Sequence, residues 1–274
     1  MQVGNDSSEV QRKFISFVAR MLEDHPKLCY ADISHSSSYP REIQPYVAFL
    51  EVLTEHRETA RKLLERGLIW PKLVEVYSEN PEPVAVSIFQ SKLGRIGEAD
   101  ALEFGRLHGH RRLTFRDTFG KGVFDYVAKA MKYGGPQNLV SKDWKQTLDR
   151  IHGINDFGDL ARFVYVERLC LLGFTNAPDN YLVTGGGPKR GIETTFGESS
   201  GLKEKGNGLL QPLLQVTHNE RAIFALETFL CCMQQERIRS SFLAYFEGKL
   251  SLDQVIDRYV TAFGKRDLSE IRPR

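Results

Sequence analysis

Residues 185–191 read GGGPKRG, the segment of this chain whose residue types point most directly to chemistry. Three successive glycines have little to pack and much conformational freedom to lose, so such a run suits backbone that must approach a ligand closely. Successive amides can form an anion nest, and Lys189 and Arg190 set two positive charges beside it. Gly185, Gly186, Gly187 and Gly191 are therefore the candidate phosphate-binding backbone, with Lys189 and Arg190 as its cations. The segment is not a P-loop, because no GKS or GKT ending follows and no βαβ unit surrounds it. A flexible surface loop is the competing reading, against which the flanking Tyr181 and Phe196 argue that both ends are pinned. Asp179 lies just upstream, where a carboxylate can orient or deprotonate an amine, water or hydroxyl nucleophile. The alternative is that Asp179 and Asn180 are a turn pair.

A second constellation is LDRIHGINDFGDLARFVYV at 148–166. It has the form helix, hydrophobic-Gly-hydrophobic turn, second helix, with Ala161 at the tightly packed face. Gly153 can take a backbone angle closed to other residues, and Ile151 and Ile154 anchor the turn in a core. Backbone amides at such a turn, together with a helix dipole, can hold a phosphate without reading base sequence. Gly153, Ile154 and Asn155 are the candidate contacts. Asn155 stands where a second glycine is usual, and Asp156 and Asp159 bring carboxylates close by. An ordinary αα corner is the competing reading.

The third is RLHGHRRLTFRDTFGK at 106–121, where five basic residues face Asp117 alone, a local charge of +4 in a chain of net +2. Arg111, Arg112 and Arg116 are candidate DNA-phosphate contacts, set against a solvated face of paired charges. His108 and His110 are two apart and would not share a helix face, and no third ligand lies in range, so no metal site is expected.

The elements that must position these residues read as helices. Val10, Phe14, Phe17, Val18 and Met21 recur at three and four residues and predict a helix over 10–22 that Pro26 ends. HSSSYP at 35–40 reads as loop. One helix is expected over 43–66, with Val47, Leu50, Leu53 and Leu64 on its apolar side and Gly67 as its stop. Further helices are expected over 70–77, with Pro71 in the first turn, over 84–93, where a strand is the alternative but nothing nearby offers it a partner, and over 100–108 and 123–131, before the YGGP break at 133–136. Ser141 begins a capped helix to Ile151, and another covers 156–172. A loop of about fifteen residues follows, a length uncommon without a function. Residues 218–238 read as one periodic helix bearing Ile223, Leu226, Leu230 and Met233, and 252–263 as the last. Alternation of the β type is nearly absent, so the expected fold is all-α.

Composition agrees with a folded chain, since 41% of 274 residues are hydrophobic and 26% charged. No signal peptide is apparent, and the longest apolar stretch falls short of a membrane span. The location expected is intracellular: cytoplasmic, in a phage-infected host cell, or nuclear in a eukaryote. Cys29, Cys170, Cys231 and Cys232 lack zinc spacing and read as buried free thiols. The expected organisation is an N-terminal helical region over 1–84, a core over 85–264 and a charged tail over 265–274.

The hairpin, followed about two dozen residues later by an aspartate, resembles the helix-hairpin-helix DNA glycosylase superfamily. More particularly, GINDFGDLARFVYVERL, PDNYLVTGGGPKRGIETTFG and ALETFLCCMQQ are similar to the alpha-glutamyl/putrescinyl thymine pyrophosphorylase family. In that family a Gly-Pro-Gly type loop with a basic residue follows the hairpin, and a later helix carries a glutamate ahead of Leu-Cys. The matching positions are Gly186, Gly187, Pro188, Arg190 and Gly191, then Glu227, Leu230 and Cys231. The resemblance implies a glycosylase-like helical fold over roughly 85–240. The activity it implies is transfer of an amine from an amino acid or polyamine onto pyrophosphorylated 5-hydroxymethyluracil in DNA, with loss of pyrophosphate. The partners it implies are double-stranded DNA with a modified pyrimidine and a small amine or amino acid, with no cofactor and no membrane. Glycine amides, Lys189 and Arg190 would grip the leaving polyanion, and Asp179 or Glu227 would hold or deprotonate the amine. A lone glutamate on an apolar helix can equally cap a neighbour's amide. Two other classes stay open: a DNA glycosylase or non-catalytic DNA-binding relative, and an enzyme on a free nucleotide or nucleoside. Residues 156–172 contain no lysine, which argues against a lyase using a Schiff base.

Overall fold

Helices follow one another along the whole of the computed structural model, which describes residues 7–54, 57–93, 112–180, 185–197 and 200–263. Among the described residues there is no strand, so the all-α expectation holds. In chain order the helices are α1 (Ser7–Asp24), α2 (Ser34–Ser37), α3 (Gln44–Thr54), α4 (Arg57–Glu65), α5 (Trp70–Glu79) and α6 (82–93). Next come α7 (Arg112–Lys132), α8 (Pro136–Leu139), α9 (Trp144–Ile151) and α10 (Asp159–Leu171). The last are α11 (Gly186–Phe196), α12 (Leu202–Thr217), α13 (Ala222–Cys232), α14 (Glu236–Phe246) and α15 (Leu252–Phe263). None of them is long and apolar enough to cross a membrane.

The chain divides into two compact units. One comprises Met1–Asp32 with Ala177–Arg274, and the other Ile33–Asn176. The boundary expected at 84/85 falls inside the second of these.

In the unit of Ile33–Asn176, α3 is buried on every side, as a helix at the centre of a core must be. Its Phe49 stacks on Tyr126 of α7 with ring centroids 4.0 Å apart. The hydroxyls of this aromatic core are satisfied internally: Tyr46 donates to Leu68 O (2.6 Å), Tyr165 donates to Pro45 O (3.1 Å), and Tyr126 and Tyr165 share a bond of 3.2 Å. The single helix expected over 43–66 is instead α3 and α4. The amphipathic residues 57–65 bury Ala60, Leu63 and Leu64 by packing α4 back on α3, which one straight helix could not do. Gly67 closes α4 at φ +94°, as the sequence suggested. The serines at 35–40 are not plain loop, because Ser34–Ser37 form a helical turn around buried Ser36. The Gly134 and Gly135 break has φ +79° and +130°. The α9 cap is Asp143, which accepts from Lys145 N at 2.9 Å, rather than Ser141.

In the other unit, Val10, Phe14, Phe17, Val18 and Met21 of α1 are all buried as their spacing predicts. Phe17 meets Phe229, Phe242 and Tyr259 edge to face, which ties α1 to α13, α14 and α15. The helix expected over 218–238 is two helices, α13 and α14, with a turn at 233–235. Its apolar side is buried as expected, at Ile223, Leu226, Leu230 and Met233. Helix α12 has no counterpart in the sequence reading. Its Gly206, Gly208 and internal Pro212 dilute the periodic signal, yet Leu209, Leu210 and Leu213 are buried.

Candidate functional site

The glycine-rich segment is a helix rather than an open loop. Gly185 is its N-cap and α11 begins at Gly186. Pro188 sits in the first turn, where its missing N–H costs no helical bond. The amide of Lys189 donates to Gly185 O at 3.0 Å, the first backbone bond of the helix. Gly197, at φ +77°, ends the helix.

The glycines serve close packing. Gly187 and Gly191 are one helical turn apart on the face that meets α13. A methyl group on Gly191 would lie 2.5 Å from Leu230 O and 2.7 Å from Leu230 Cα. One on Gly187 would lie 2.9 Å from Cys231 Sγ. Glycine inside a helix costs roughly 1 kcal/mol relative to alanine, and here the loss is offset by a helix contact that no larger residue permits. Gly186 has nothing within 4 Å and no such reason.

Beneath Gly187, the Cys231 thiol donates to Glu227 Oε1 at 2.9 Å. Glu227 is 1% exposed. Burial pushes its carboxyl up to about 7, and the Cys231 hydrogen bond opposes the rise. The Cys231 thiol is raised well above its ordinary value, chiefly by burial and then by the Glu227 charge. Lys189 and Arg190 leave α11 on its exposed side, and Arg190 pairs with Glu193 at 3.6 Å. Asp179 is exposed and accepts from the neighbouring Asn180 Nδ2 at 2.6 Å. The structure thus brings the Gly187–Gly191 face to Glu227 and Cys231, and turns Lys189 and Arg190 to solvent.

The hairpin lies in the unit of Ile33–Asn176. Gly153 is exposed at φ +80°, and Ile151, Ile154 and Ala161 are buried, which agrees with the sequence reading. The second helix starts at Asp159, not 156, because Asp156 takes φ +57° and Phe157 tucks into the core. Asn155 uses both its amide N–H and its side-chain Nδ2 on a single acceptor, Asp125 Oδ2, at 3.0 and 2.9 Å. Of the basic segment, Arg111 lies outside the described residues. So do the side chains of Arg112 and Arg116, whose backbone belongs to α7. The helix expected over 100–108, Tyr181 and the tail over 265–274 also lie outside them.

A polar cluster in this unit escaped the sequence reading. Glu51 of α3 is 1% exposed. It takes His35 Nδ1 at 2.7 Å, Ser36 Oγ at 2.6 Å and an ion pair with Arg168. Tyr39 OH lies 3.3 Å from His35 Nε2. The cluster clasps α2, α3 and α10 about one carboxylate. Its only signal was a glutamate amid the apolar run AFLEVL. All four cysteines are buried thiols outside any disulfide, as their spacing suggested.

No family model matches the chain, and neither does any curated protein or any solved structure.

Proposed function

We propose that the protein is a transferase acting on pyrophosphorylated 5-hydroxymethyluracil in DNA, joining it to a small amine. What carries this reading is α11: one face is fixed on α13 through Gly187 and Gly191, and the opposite side holds Lys189 and Arg190 in solvent. Two cations on a rigid helix are suited to a leaving pyrophosphate, whose charge develops as its bond breaks. The amine nitrogen attacks the methylene carbon of the base, and the carbon–oxygen bond to pyrophosphate breaks with its electron pair on oxygen. The surplus ammonium proton passes to a carboxylate. Asp179 is the exposed candidate for that proton, while Glu227 supports α11 from below. The hairpin turn at 151–158 is assigned to the DNA backbone.

Asn155 favours a second reading. Its amide is engaged by Asp125, so an enzyme that takes a free nucleotide and needs no duplex fits the same α11 platform.

Incubation with DNA carrying the pyrophosphorylated base and a mixture of amines, followed by nucleoside mass spectrometry, tests the proposal. Pyrophosphate release with an aminated base supports it. Release of free base assigns a glycosylase instead, and turnover on the free nucleotide alone assigns the second reading.

A further inference from the structure

The hairpin turn already holds an anion, and the anion is part of the chain. Asp125 Oδ2 receives both donors of Asn155, and Asp125 Oδ1 lies 3.1 Å from Lys121 Nζ. Lys121 also pairs with Glu82 of α6. Helix α7 presses close at this point, since a methyl group on Gly122 would lie 2.9 Å from Asn155 O. A carboxylate oxygen accepting from a backbone amide and a neighbouring side-chain amide, with a cation on its other oxygen, has the surroundings that a phosphodiester oxygen would take.

We propose that Asp125 is an internal stand-in for a DNA phosphate, which closes the hairpin's anion seat until a backbone phosphodiester displaces it. This rests on the DNA-directed reading of the hairpin above, but not on the transfer chemistry. When phosphate arrives, Asn155 N–H and Nδ2 change acceptor and the Asp125 carboxylate falls back on Lys121. Two charge-assisted hydrogen bonds are exchanged rather than gained, so duplex binding in the wild type is weaker than an open seat would give. Sequence alone places Asp125 thirty residues from Asn155 and gives no hint of the pairing.

The test compares duplex affinity of the full chain, by fluorescence anisotropy at low salt, for Asp125→Ala, Asp125→Asn and Glu82→Ala. Asp125→Ala and Glu82→Ala each remove one negative charge beside Lys121, but only the first opens the seat. The expected result is that Asp125→Ala tightens binding by ~5-fold or more and steepens its salt dependence by about one phosphate contact, while Glu82→Ala changes affinity by less than ~2-fold. Asp125→Asn keeps an uncharged acceptor for Asn155 and falls between the two. It also serves where the alanine variant does not fold. Equal effects of Asp125→Ala and Glu82→Ala, or weaker binding by folded Asp125 variants, overturn the proposal, as does absence of duplex binding by every form. If Asp125→Ala tightens binding while no pyrophosphate is released, the seat stands and the transferase reading falls.

Discussion

The thiol of Cys231 donates to Glu227 one turn earlier on α13, at 2.9 Å, and Gly187 of α11 lies against that same sulfur. A buried carboxyl, a thiol and a glycine face thereby form one stack. Changes at any of the three should be felt by the other two.

Gly191 tests the packing role of the glycines. Gly191→Ala forces a methyl group onto Leu230 backbone, which cannot yield as a side chain tip could. The expected cost is about 1–3 kcal/mol of stability in urea denaturation. Gly186→Ala meets nothing and should be neutral or stabilising by up to about 1 kcal/mol. If both substitutions are silent, the close approach of α11 and α13 is wrong.

Glu227 makes stability depend on pH. Its folded carboxyl titrates near 7 against an ordinary 4.5, so the raised value favours the protonated form in the folded state. Its contribution is full below pH 4.5 and is lost as pH rises through about 7. Glu227→Gln cannot ionise, so its advantage over wild type should grow across that window to the order of 3 kcal/mol at alkaline pH. Parallel pH profiles for the two proteins would refute this.

Arg168 and Glu51 form a buried ion pair within a clasp of three donors. Arg168→Met leaves the Glu51 carboxylate in the core without its cation and should cost roughly 3–5 kcal/mol. Adding Glu51→Gln should recover part of that loss. A single-variant cost under about 1 kcal/mol would show that His35 and Ser36 suffice.

Arg190 separates catalysis from folding. It is half-exposed and paired only loosely with Glu193 at 3.6 Å. Arg190→Glu should change stability by no more than about 0.5 kcal/mol. It should nevertheless abolish turnover on the pyrophosphorylated substrate, because it sets a negative charge against the leaving group. Full turnover by the folded variant would remove α11 from the site.

Much of this protein was legible in its residue order. The stripe of α1, the stop at Gly67, the turn at Gly153 and the burial of Ile151, Ile154 and Ala161 all follow from spacing and backbone sterics, which are local. Residue types also singled out 185–191, because a glycine run is visible on its own, whereas Glu227 entered only through the family resemblance. Tertiary structure alone decided what those residues touch. The glycines at 187 and 191 look free in sequence and are held by Leu230 and Cys231, some forty residues away. Asn155 looks open to a ligand and is held by Asp125, and Glu51 finds Arg168 across more than a hundred residues. Local sterics set the backbone of a segment, but hydrogen-bond and van der Waals partners are chosen by which helices the core brings within a few ångströms, and periodicity carries no record of that choice.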